Sequence, residues 1–235
     1  VLNNSENLHK TIQSIEEQAY TSLEILFITE RNTQIDQQLA VQKPKFSFKI
    51  LHAYHLKNYA AQRNLGLKHA AGKYISYLFA GDILFSHHYE IMVTALETSY
   101  FKICFTSEQI ENSDFKLLEN ASKANQTYPL SAFLHQRNIT ETVGIFDESL
   151  PSFEDLDFLL KIKLQFDFRI LKTSSYQPFI IPLNLENSDI NSALQLIINK
   201  YQVLANLNIS NVEEIANNQV TPKISVIVPT YNRRD

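Results

Sequence analysis

Largely apolar runs of strand length alternate with stretches in which apolar residues recur every three to four positions. This alternation constrains the fold more than any other feature of the chain. Leu8, Ile12, Ile15 and Ala19 share one helical face, opened by the capping residue Ser5. Residues 23–28 form a buried strand, and Phe46, Phe48 and Ile50 alternate as a second. Residues 57–71 read as a helix closed by Gly72 at the C′ position. Residues 74–79 form a third strand, Tyr89, Met92, Val93 and Leu96 mark another helix, and residues 101–105 a further strand. Strands interleaved with helices require a mainly parallel sheet covered on both faces, an α/β fold. Ligands of such sheets bind beyond the carboxyl ends of the strands, which singles out residues 29–33, 79–82 and 230–234.

The second half is less regular. Residues 114–134 are polar, and read as a loop-rich region with short strands. Helical spacing returns over 155–165 and over 189–207, where Leu194, Ile197 and Tyr201 make a face suited to packing on the core. Residues 211–223 look like a polar linker, and 224–229 a strand stopped by Pro229.

At 235 residues and 44% hydrophobic content the chain suits one large domain with a sizeable core. A net charge of -4 without a basic patch argues against nucleic acid as a partner. The single cysteine, Cys104, rules out an internal disulfide framework; it lies in an apolar run as a small core residue and suits a reducing cytoplasm. His87 and His88 open the helix after residue 82 and read as surface residues rather than ligands. No apolar run approaches the ~20 residues of a membrane span, so any membrane association would come through partners.

Several segments recur in a telling order: Ala60-Ala61-Gln62-Arg63-Asn64-Leu65-Gly66, Gly72-Lys73-Tyr74-Ile75-Ser76-Tyr77-Leu78, Val143-Gly144-Ile145-Phe146-Asp147-Glu148 and Glu154-Asp155-Leu156-Asp157. Their order and spacing resemble family 2 glycosyltransferases of the GT-A fold, a Rossmann-like mixed, mainly parallel sheet flanked by helices. The resemblance implies sugar transfer from a nucleotide-sugar donor, a UDP-sugar foremost, to a glycan acceptor in surface polysaccharide or glycan synthesis. It implies inversion at the anomeric carbon, with Asp155 as the base and Glu154 orienting it. Read from the residues alone, the pair also suits ordinary acids at a helix N-terminus, helped by capping from Ser152.

The resemblance further assigns Glu30 and Arg63 to the nucleotide, though Glu30 also reads as part of a solvated loop and Arg63 as an exposed helix charge. A divalent metal, Mn²⁺ or Mg²⁺, is expected beside an Asp-x-Asp motif. Here Phe79 and Gly81 stand at its two aspartates, Thr29 stands at another family aspartate, and Asp82 alone remains as a metal ligand. Two readings follow: a working or weakened transferase, or a degenerate one that binds and supports an active neighbour.

The ends carry one element twice. Val1-Leu2-Asn3-Asn4 resembles the tail of the family's first strand and turn, and residues 224–233 resemble that element intact. The organisation expected is a transferase-like domain over 1–210 lacking its first strand, a linker over 211–223, and the first strand of a following transferase domain over 224–235. The alternative is that 224–230 fills the vacant slot as a permuted strand.

Overall fold

A computed structural model describes residues 4–29, 39–56, 58–107, 130–178, 187–204 and 223–230. Along the chain these form α1 (Asn4–Glu16), β1 (Leu23–Thr29), β2 (Ser47–His52), α2 (Tyr59–His69), β3 (Tyr74–Tyr77), β4 (Ile83–Leu84), α3 (His88–Glu97) and β5 (Ile103–Thr106). There follow β6 (Phe133–Gln136), α4 (Ile139–Val143), α5 (Glu154–Lys163), β7 (Arg169–Leu171), β8 (Tyr176–Gln177), α6 (Asn187–Leu204) and β9 (Ile224–Thr230).

The main sheet runs β2-β1-β9-β3-β6-β5-β7, and β4 pairs with β8 in a small antiparallel ribbon. Every pairing in the main sheet is parallel except those of β6, which runs against both β3 and β5. The fold is thus the mainly parallel α/β class that the alternation implies, and it is mixed as the resemblance implies. Period-2 geometry sends successive side chains of β1 to opposite layers. Ile25 and Phe27 join a core with α1 and α3, whereas Leu26 and Ile28 join one with α2, α5 and α6.

β9 lies at the centre, parallel to β1 along its whole length and to β3 along four residues. Two glycines make room for it. A Cβ on Gly66 would come within 2.5 Å of Ile227 Cγ2, and one on Gly72 within 2.5 Å of the Ser225 backbone nitrogen. Ser225 Oγ accepts from the Gly72 N–H (2.7 Å) and donates to Glu24 Oε2 (2.9 Å), which also accepts from the Ala71 N–H. Satisfied inside the core, such a network favours one register over a slipped one.

Local expectations shift in several places. Helix α1 begins at Asn4, ahead of Ser5, and α2 is capped by Asn58, whose side chain accepts from the Ala61 N–H at 2.9 Å. Helix α2 ends at His69 with Ala70 as its cap, so Gly72 serves close packing rather than the C′ turn. Strand β9 continues through Pro229 to Thr230. Residues 108–129 and 205–222, which hold most of the expected loop-rich region and linker, lie outside the described residues.

Candidate active site

The carboxylate pair opens α5, and the backbone turns into it through Phe153. This residue sits in the left-handed region (φ 60°, ψ 27°) without any side-chain cap, so Ser152 does not cap the helix. A bulky residue there costs roughly 1–3 kcal/mol and persists only where surrounding packing holds it. Phe153 is 1% exposed in the core shared with Leu156 and Phe158, which supplies that packing. The strained turn aims Glu154 and Asp155 from a rigid point, with the helix dipole behind them.

Asp155 is buried, and its Oδ1 accepts from the Leu156 N–H at 2.8 Å. Burial first, and the neighbouring Glu154 charge second, push its pKa up to about 7, with Arg63 opposing. A carboxyl poised near neutrality is a base that still drives proton transfer. Glu154 Oε1 accepts from Arg63 Nη1 at 2.5 Å.

Arg63 therefore reaches from α2 to the carboxylate pair, and is buried rather than an exposed helix charge. Its guanidinium carbon lies 5.0 Å from the Phe79 ring centroid, 5.3 Å from Phe146 and 5.7 Å from Tyr59. The next residue bridges elsewhere. Asn64 donates to the Phe146 carbonyl (2.9 Å) and to Glu148 Oε1 (2.7 Å), and accepts from the Phe146 N–H (3.0 Å). The adjacent Arg63 and Asn64 thus tie α2 to the start of α5 and to the segment at residues 146–148. In sequence Asn64 carries no sign of this role beyond its position beside Arg63.

Residues 79–82 form a tight turn after β3, closed by the Asp82 N–H to the Phe79 carbonyl (3.0 Å), with Gly81 at φ 119°. Thr11 of α1 pins it: its Oγ1 donates to the Asp82 carbonyl (2.9 Å) and accepts from the Gly81 N–H (2.7 Å). Asp82 is 2% exposed, and its Oδ2 accepts from the Phe79 N–H at 2.7 Å. His87 is exposed and pairs with Glu90. His88, expected at the surface, is fully buried; its Nδ1 shares a hydrogen bond with Ser175 Oγ, and burial pushes its pKa down to about 3. Cys104 is a buried core residue, as expected, and burial pushes its thiol up to about 12. Glu30 lies outside the described residues.

A family model described as Glycosyl transferase family 2 matches residues 1–157. The chain belongs to glycosyl transferase family 2. An uncharacterized glycosyltransferase of Rickettsia bellii is 29% identical over 155 residues, 60% of this chain and 22% of that protein. One from Rickettsia felis is 33% identical over 114 residues, 47% of this chain and 18% of that protein. The chain thus spans only about a fifth of the length of these relatives. Among solved structures, S. aureus TarS 1-349 in complex with UDP-GlcNAc superposes with a TM-score of 0.65 at 18% identity, over 83% of this chain and 62% of that one. The mannosyltransferase PcManGT from Pyrobaculum calidifontis, in complex with GDP-Man and Mn²⁺, gives 0.65 at 15% identity, over 86% and 62%. At such identities the likeness is one of fold, and it establishes the GT-A architecture.

The metal of a family 2 site asks for oxygen ligands at the turn after β3. Phe79 and Gly81 offer none from their side chains, and Asp82 is buried with one oxygen committed to its own turn. Among the described residues no three His, Cys, Asp or Glu side chains gather to hold an ion. The residues at this turn do not fit a divalent cation.

Proposed function

We propose that this family 2 domain transfers a sugar from a nucleotide-sugar donor, a UDP-sugar foremost, to a glycan acceptor with inversion. Asp155 takes the proton of the attacking hydroxyl and Glu154 holds the arrangement through Arg63. The observation that carries the reading is Asp155 itself: a buried carboxyl at the strained opening of α5, with a pKa of about 7. In-line displacement at the anomeric carbon needs a base on the face opposite the leaving nucleotide. The reading extends to a glycan-building role in the cytoplasm, with any membrane association made through partners. Among the described residues no helix is long and apolar enough to cross a membrane.

A second reading has its own observation. Asp82 is drawn into its turn and Phe79 covers Arg63, which suits a domain that binds nucleotide or a partner without turnover, beside a further transferase domain. Assaying a panel of UDP- and GDP-sugars with a mixed glycan acceptor pool separates the two. Transfer by the native chain, lost in Asp155→Asn with nucleotide affinity unchanged, supports the catalytic reading. Nucleotide binding without any transfer or donor hydrolysis supports the second.

A further inference from the structure

A nucleoside diphosphate gathers negative charge as its sugar departs, and some cation has to face it. One source is a divalent ion held by acids, which the turn at residues 79–82 does not fit. Another is a guanidinium, a planar fork held by an anion and stacked on aromatic faces. Residues around Arg63 build the second. Glu154 accepts from Nη1 at 2.5 Å, and the Phe79 ring, at the position where the resemblance puts an aspartate, faces the guanidinium at 5.0 Å. Arg63 is 1% exposed, and its Nε–H is buried without a hydrogen-bond partner. A buried donor with nothing to donate to costs about 1–3 kcal/mol, and such groups mark a place where an acceptor belongs.

We propose that Arg63 replaces the divalent cation of this site: countered by Glu154 and stacked on Phe79, it supplies the positive charge toward a nucleoside diphosphate, whose binding is independent of divalent metal. This rests on the nucleotide-sugar reading above. Phe79 is half-buried, as is Tyr59 behind it, and of the rings around Arg63 it lies nearest the guanidinium; it shifts to let phosphate oxygens reach Nε. A ring suits this arrangement because its face attracts a guanidinium and gives no oxygen to a hard cation.

The test uses the full chain stripped with EDTA. UDP, GDP, CDP and dTDP are titrated by calorimetry in EDTA and in Mn²⁺, and uptake of Mn²⁺ alone is followed by its electron paramagnetic resonance signal. The expected result is a diphosphate affinity equal in both buffers, within about twofold, and no uptake of Mn²⁺. Arg63→Lys keeps the charge but loses the fork, and weakens binding by about tenfold. Phe79→Leu keeps apolar bulk without the ring face and weakens it by about threefold, with no metal dependence gained; it serves should Arg63→Lys fail to fold. A tenfold or larger gain in affinity on adding Mn²⁺, or stoichiometric Mn²⁺ uptake, overturns the proposal alone. So does metal-free binding that neither variant weakens. No diphosphate binding in either buffer by a cooperatively melting sample overturns the nucleotide-sugar reading, and this proposal with it.

Discussion

The opening of α5 and the turn after β3 both carry acids and both contact Arg63, and they use those acids in opposite ways. At α5 the acids are aimed by a strained backbone: Phe153 is forced into the left-handed region, Asp155 is buried, and Glu154 is bonded to Arg63. At residues 79–82 the acid serves its own turn, with Asp82 Oδ2 bonded to the Phe79 N–H and the loop pinned by Thr11. An acid in the expected place is therefore a weak indicator of chemistry. What matters is which partner its oxygens already have. On the proposed function the first region would trade stability for reactivity, whereas the second serves the stability of its own turn.

Asp155→Asn tests that contrast most severely. Loss of a general base lowers transfer by about 10²–10⁴-fold, read as kcat on whichever donor proves active. Stability moves the other way. Asp155 holds its proton up to about pH 7 in the folded chain, against an ordinary value of 3.8. Between those values the folded state binds the extra proton, so its contribution to stability is full below pH 4 and falls as pH rises toward 7. At pH 8 the Asn variant, which cannot ionise, is more stable than the native chain by at most about 4 kcal/mol. At pH 3.5 the two melt together. A variant destabilised at pH 8 would show that the site carries no stored cost. In the native chain, kcat/KM rises with pH through about 7 as Asp155 loses its proton.

Glu154→Leu leaves Arg63 buried without its counter-ion, which costs roughly 3 kcal/mol in urea unfolding. A change under about 0.5 kcal/mol would mean that the aromatic faces and the neighbouring Asp155 hold the guanidinium without Glu154. Asp82→Ala, at the opposite region, removes the acceptor of the Phe79 N–H and costs roughly 1–3 kcal/mol. Asp82→Asn, which keeps an acceptor oxygen, changes stability by less than about 1 kcal/mol and leaves nucleotide affinity alone. A loss of nucleotide affinity in Asp82→Asn would break the contrast by giving that acid a ligand role. The smallest effect is expected at Gln62, fully buried beside Arg63 with both amide atoms unpartnered. Gln62→Leu raises the melting temperature by an amount worth about 1 kcal/mol, read by calorimetry; a fall would show that the amide is satisfied in solution.

The alternation of apolar periods determined the α/β class, most of the elements and the rim where a site had to lie, because burial on a face is a local, periodic demand. Motif order determined the family, and the resemblance gave roles to Glu30, Arg63, Asp82, Glu154 and Asp155 but none to Asn64. Boundaries moved by a few residues where caps compete, as at Asn58 against Gly72. The strain at Phe153 left no mark in sequence, since a phenylalanine gives no local sign of a left-handed backbone. Only the tertiary structure decided that β9 occupies the middle of the sheet, that His88 turns inward, that Arg63 stacks on Phe79, and that Asp82 spends an oxygen on its own turn. The central strand and the Arg63 cage join segments far apart in the chain, such as residues 63 and 154, and no local pattern encodes which of them meet. Even the Asp82 contact, three residues long, depends on α1 holding the turn in place. Sequence periodicity specifies which faces must be covered; packing selects the partners that cover them.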